Sequence, residues 1–121
     1  MQKHPAILVV DDDESIGFML KLMLEHKGFF VVLAERAVNL SQIIEANNIS
    51  LIILDMLIAD IKGTDLCAEL KKNLATAHIP IIMMTALPGI EKECEEAGAD
   101  EFIAKPFEMD AFLAKINSLI S

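Results

Sequence analysis

Residues 6–28 read AILVVDDDESIGFMLKLMLEHKG, and this stretch decides the fold. It opens on five apolar residues, turns at Asp11, Asp12 and Asp13, and then places Ile16, Met19, Leu20, Met23 and Leu24 at i, i+3, i+4, i+7 and i+8 before stopping at Gly28. An apolar run without alternation is the pattern of a strand covered on both faces. The periodicity that follows is that of an amphipathic helix over residues 14–27, with those five residues as its core stripe. A glycine just past the last helical residue supplies the left-handed backbone that ends a helix. The unit is strand, acidic turn, helix.

The same unit recurs to the end of the chain. Apolar runs lie at 29–33, 51–54, 81–84 and 102–104. Each precedes a stretch of helical character. The first, 38–47, is closed by Asn47 and Asn48. In 64–74, Leu66, Leu70 and Leu74 share a face. Residues 90–97 are short, charged and stopped by Gly98, and 108–120 carry Phe112, Leu113, Ile116, Leu119 and Ile120 on one side. Strands alternating with helices imply parallel pairing through right-handed crossovers. The expected fold is α/β, a (βα)5 doubly wound parallel sheet of five strands. At 121 residues the expectation is a single domain over 1–121, with no second domain after the last helix.

Hydrophobic residues make up 54% of the chain and the mean hydropathy is +0.46, yet 19 Asp and Glu face 10 Lys and Arg, a net charge of −9. The apolar excess is what a doubly covered sheet requires. The acidity argues against nucleic acid as a partner, because a phosphate backbone is held by Lys and Arg. No apolar run approaches the length of a membrane span. The N-terminal MQKHP lacks the apolar segment of a signal peptide. Cys67 and Cys94 have no metal-ligand spacing and read as reduced thiols, so the expected location is cytoplasmic. Trp and Tyr are absent, which leaves few stacking platforms for bases or sugars.

In open α/β sheets, ligands bind beyond the carboxyl ends of the strands. Asp11, Asp12 and Asp13 follow the first strand, Asp55 the third, Thr85 and Ala86 the fourth, and Lys105 and Pro106 the fifth. The second is followed only by Ala34 and Glu35; if it lies at an edge, the other four ends converge. Carboxylates crowded there repel one another, so one of them takes up a proton unless a cation intervenes. Mg²⁺ is the natural cation, since it prefers oxygen ligands and retains waters beside one or two carboxylates and a phosphate. With a lysine and a hydroxyl added, the set suits phosphoryl transfer onto an aspartate. Asp13 and Glu14 have a simpler explanation as favourable charges at the start of the helix.

The motifs ILVVDDDE (7–14), LIILDMLIADIKG (51–63), IPIIMMTA (79–86) and AGADEFIAKPF (97–107) together resemble the receiver domain of the two-component response-regulator family, over the whole chain and in order. The resemblance implies a flavodoxin-like strand order 2-1-3-4-5. It implies Asp55 as phosphoacceptor and Asp11 and Asp12 as the acidic pair holding Mg²⁺ together with Asp55 and the Leu57 carbonyl. Lys105 would bind the incoming phosphoryl group through a position followed by a cis bond to Pro106. Thr85 would be the switch hydroxyl, with the Ala86 N–H beside it, and Phe102 the switch aromatic. The implied donor is the phosphohistidine of a histidine kinase or histidine phosphotransfer protein, and the implied role is a signalling switch rather than an enzyme acting on other substrates.

The chain departs from the family pattern in places. Ala59 stands where Pro is usual, Gly17 where a basic residue is common, and the segment from Thr85 to Gly98 is short, which points to a truncated fourth helix. Leu57 and Leu87 are apolar where polar residues often sit, and are expected to exclude hydrolytic water and lengthen the life of a phosphoaspartate. Ile16, Phe18 and Leu22 on the first helix are candidate docking residues for the phosphodonor. A flavin-binding protein is disfavoured because the DDDE loop would repel phosphate, and a phosphohydrolase because Leu57 replaces its second acid. The remaining rival is a pseudo-receiver, the same fold used as a phosphorylation-independent interaction module.

Overall fold

Every residue of β1 (Ala6–Val10) and of β6 (Ile81–Thr85) is buried, which marks both as interior strands. The computed structural model describes residues 5–58, 61–86, 89–105 and 107–120. The remaining elements are α1 (Glu14–His26), β2 (Phe30–Ala34), α2 (Leu40–Asn47), β3 (Ile49–Asp55), β4 (Leu57–Ile58), β5 (Ile61–Lys62), α3 (Gly63–Lys72), α4 (Glu91–Glu96), β7 (Glu101–Ala104) and α5 (Met109–Ile120). Five strands form one parallel sheet in the order β2-β1-β3-β6-β7, and β4 and β5 form a separate antiparallel ribbon. With the ribbon set aside, this is the expected order 2-1-3-4-5, and β2 is at an edge.

Alternate residues of each strand feed opposite cores. Leu8, Ile52, Leu54 and Met83 pack on one face with Leu40 and Ile44 of α2, Leu66 and Leu70 of α3, and Cys94 of α4. Ile7, Ile53 and Met84 pack on the other with Leu20 and Leu24 of α1 and Phe112 and Ile116 of α5. Full burial of such a side chain is worth about 1.5–3 kcal/mol, so both faces contribute heavily to stability. Cys67 and Cys94 are free, buried thiols, and burial raises the Cys67 thiol to about 11. Among the described residues no helix is long and apolar enough to cross a membrane.

The sequence pattern misplaces two side chains. Leu74 does not continue the buried face of α3: the helix ends at Lys72 and Leu74 is 93% exposed. Asn73 is extended, its side chain accepts the Ala75 N–H at 2.9 Å, and the Thr76 hydroxyl donates to the Leu70 carbonyl at 2.6 Å. These side-chain bonds take over from the helical ladder. Met19 is exposed rather than part of the core stripe, because α1 packs through Gly17, Leu20 and Leu24 and this contact turns Met19 outward. The β4–β5 ribbon was not foreseen; two residues per strand are too few to show a period. The fourth helix is short, as expected, at six residues.

Candidate functional site

The ends of β1, β3 and β7 bring Asp11, Asp12, Asp55 and Lys105 to one place. Oxygen atoms of Asp11, Asp12 and Asp55 lie within 4.8 Å of one another, the one acidic group of metal-holding spacing among the described residues. Lys105 Nζ faces them, 3.2 Å from Asp55 Oδ1 and 3.8 Å from Asp11 Oδ2. The Lys105 N–H donates to the Thr85 carbonyl at 2.7 Å, which fixes the lysine's backbone to the end of β6.

The three consecutive aspartates do different things. Asp13 is the N-cap of α1 and accepts the N–H groups of Ser15 at 2.9 Å and Ile16 at 3.2 Å, so its carboxylate serves the helix. Asp11 Oδ1 accepts the Asp13 N–H at 2.9 Å. Asp11 Oδ2 is buried with no hydrogen-bond partner, and Lys105 at 3.8 Å is too far to supply one. Burial raises the Asp11 carboxyl above its ordinary value; the Asp13 N–H opposes this, Asp55 adds to it, and Lys105 opposes it. A buried acceptor left unsatisfied is costly. The cost is removed by a cation at that oxygen, and the all-oxygen donor set fits a hard divalent ion such as Mg²⁺.

Asp55 is also held from behind. A Cβ on Gly63 would collide with the Asp55 carbonyl oxygen and lie 2.9 Å from Met56 Cα, so only glycine permits α3 to start there. Sequence reasoning missed this residue as part of the site; the signal was a glycine directly before the helical pattern that follows Asp55.

Of the other sequence candidates, Thr85 is buried at the end of β6 and Ala86 is exposed just beyond it. Leu57 is exposed on β4, opposite Lys62. Phe102 is half-buried on β7, in register with Met83 and packed against the core on the α4 side. Ile16 is half-buried on α1, whereas Phe18 and Leu22 are 57% and 53% exposed. Ala59, Leu87 and Pro106, with the cis bond expected there, lie outside the described residues.

Residues 7–117 match the family pattern of the response regulator receiver domain. The chain belongs to this family. The receiver domain is 31% identical over 118 residues to the DNA-binding dual master transcriptional regulator RpaA of Synechocystis, covering 96% of this chain and 49% of that protein. It is 32% identical to histidine kinase P4 of Formosa agariphila, covering 98% of this chain and 9% of the kinase. The chain thus spans half or less of the curated relatives it matches first. Among solved structures, a putative response regulator from Chloroflexus aurantiacus superposes with a TM-score of 0.90 at 32% identity, covering 98% of both chains. The Vibrio cholerae chemotaxis protein CheY4, at 24% identity and a TM-score of 0.87 over 97% of this chain and 99% of that one, has the same fold.

Proposed function

We propose that this receiver domain is a phosphoacceptor switch: Asp55 takes a phosphoryl group from the phosphohistidine of a histidine kinase or histidine phosphotransfer protein, in the cytoplasm and with Mg²⁺. The observation that carries this is the buried, unpartnered Asp11 Oδ2 within a trio of carboxylates faced by Lys105. Asp11, Asp12, Asp55 and the Leu57 carbonyl would hold the ion. When bound, Mg²⁺ offsets the negative charge that accumulates on the transferring phosphoryl oxygens.

The chain's own groups do the rest. An Asp55 oxygen attacks phosphorus; the new O–P bond forms as the N–P bond to histidine breaks, and the imidazole nitrogen keeps the electron pair and takes up a proton. Lys105 already contacts Asp55 and needs to shift only slightly to meet a phosphoryl oxygen. The Thr85 hydroxyl and the Ala86 N–H are further donors to those oxygens. Closure of Thr85 onto the phosphoryl group frees Phe102 to turn inward, stabilising a conformer already present in the ensemble. Phe18 and Leu22, with Ile16, are the docking residues for the donor. Leu57, exposed two residues after Asp55, keeps water from the acyl phosphate together with Leu87, and Leu57→Asn shortens the phosphoryl lifetime.

Incubation with Mg²⁺ and acetyl phosphate, followed by intact-mass measurement, tests the assignment. A gain of one phosphoryl group that is absent in Asp55→Asn supports it. No gain in the wild type overturns it in favour of a phosphorylation-independent interaction module.

A further inference from the structure

The sheet has two edges, and they differ in composition. β7, at one, begins on Glu101, which pairs with Lys115 at 3.0 Å, and lies between Asp100 and Lys105. β2, at the other, has β1 as its one strand partner among the described residues. From Gly28 to Ala34 the chain reads GFFVVLA, without charge or proline, and the register of β2 with β1 runs without a bulge. Charges, prolines and bulges are the devices that keep a strand edge from pairing further. A chain of net charge −9 places charge on the β7 edge and none on that of β2.

The hydrogen bonds of β2 say which of its groups face outward. The Phe30 N–H donates to the Pro5 carbonyl at 2.9 Å, and the Ala34 carbonyl accepts the Asp11 N–H at 3.0 Å. Residues of a parallel strand alternate between its two sides. Phe30, Val32 and Ala34 therefore bond towards β1, and Val31 and Leu33 turn their N–H and C=O groups to the open side. That pair is symmetrical about Val32. Antiparallel pairing with the same segment, centred there, sets Val31 opposite Leu33 of the copy and Leu33 opposite its Val31, which satisfies both residues of each chain.

The side chains agree with this register. Directly opposed residues share a face of the sheet, so the exposed Phe30 meets Ala34, the smallest side chain of the strand, and does so twice about the axis. Val32 meets its own copy. Lys27 precedes the apolar stretch and Glu35 and Arg36 follow it, so the Lys27 end of each copy lies against the Glu35 end of the other. A twofold axis closes the assembly at two copies, because each chain brings one such edge. We propose that β2 pairs antiparallel with β2 of a second copy of this chain, joining two five-stranded sheets into one of ten strands.

Sedimentation equilibrium of the whole chain tests this. Wild type is expected to pass from monomer to dimer as its concentration rises, and to do so more tightly in high salt than in low, because screening weakens the repulsion between two chains of net charge −9. Phe30→Lys, at an exposed position, and Val32→Lys, which sets like charges opposite each other, should each weaken association by about tenfold or more. Leu74→Lys, at the exposed Leu74 after α3, should leave it unchanged. Melting followed by circular dichroism shows that the variants fold, and Phe30→Lys carries the test if Val32→Lys does not. The register is read with cysteines and oxidised glutathione. Val32→Cys is expected to give a disulfide dimer, since an opposed pair without hydrogen bonds has Cα atoms about 4.5 Å apart. Phe30→Cys, offset by about 13 Å from its own copy, is expected to give none. Wild type that stays monomeric at millimolar concentration, or equal weakening by Phe30→Lys and Leu74→Lys, overturns the interface. A Phe30→Cys dimer that forms as readily as the Val32→Cys dimer overturns the pairing.

Discussion

Two lysine–aspartate clusters sit at opposite ends of the sheet. At the amino ends of β6 and β7, Asp100 Oδ2 accepts Lys71 Nζ at 2.9 Å and the Ile81 N–H at 2.9 Å, and Lys71 Nζ also donates to the carbonyls of Ile79 at 2.8 Å and Ala77 at 3.3 Å. One cation meets one anion, and the ammonium has three acceptors. At the carboxyl ends, three carboxylates share the neighbourhood of one ammonium and a buried oxygen goes without a donor. The first arrangement is complete and joins α3 to two strands. The second is short of positive charge and of hydrogen-bond donors. A fold tolerates such a deficit where a ligand makes it good, which is why the second cluster reads as a site and the first as a structural tie.

Substitutions at the two ends should therefore have opposite effects. The largest is at Asp55: Asp55→Asn should abolish labelling by acetyl phosphate while leaving the thermal midpoint no lower than wild type, because it removes one of the mutually repelling carboxylates. Next is the response to metal. At a hundred times its dissociation constant, Mg²⁺ should stabilise the wild type by about 2.7 kcal/mol in thermal unfolding; Asp12→Asn should lose most of that gain and Asp100→Ala should keep it. Asp100→Ala itself should cost about 2 kcal/mol, since it leaves the Ile81 N–H and one bond of the Lys71 ammonium unmet, while acetyl phosphate labelling stays within twofold. If labelling collapses instead, the two ends are not separable. The smallest effect is at Asp11. Its carboxyl is raised by burial, so the folded protein binds a proton there more readily than the unfolded chain, and stability falls as pH rises above the ordinary aspartate range. Without metal, Asp11→Asn should stabilise the fold at neutral pH, a gain that fades as pH falls towards 4 in pH-dependent melting.

Much of this was legible in the residues. The five strands were readable because doubly covered strands are apolar throughout, and the convergence of Asp11, Asp12 and Asp55 because each follows such a run. Asp13 was recognisable as a helix starter. Other features depend on packing that no local pattern records. Met19 lies on the apolar periodicity of α1 yet faces outward, because the helix settles on Gly17. Leu74 matches the spacing of α3, but Asn73 and Thr76 end the helix through side-chain bonds before it. The unpartnered oxygen of Asp11 arises only when neighbouring strands and Lys105 close over it, and the role of Gly63 only when α3 meets the end of β3.

The contact at Gly63 has a mechanical consequence. With the start of α3 pressed against the Asp55 carbonyl, the main chain there has no room to retreat and behaves as an anvil. Any side chain at Gly63 would have to displace the main chain of Asp55 and Met56, so Gly63→Ala should shift Asp55 itself rather than merely loosen α3.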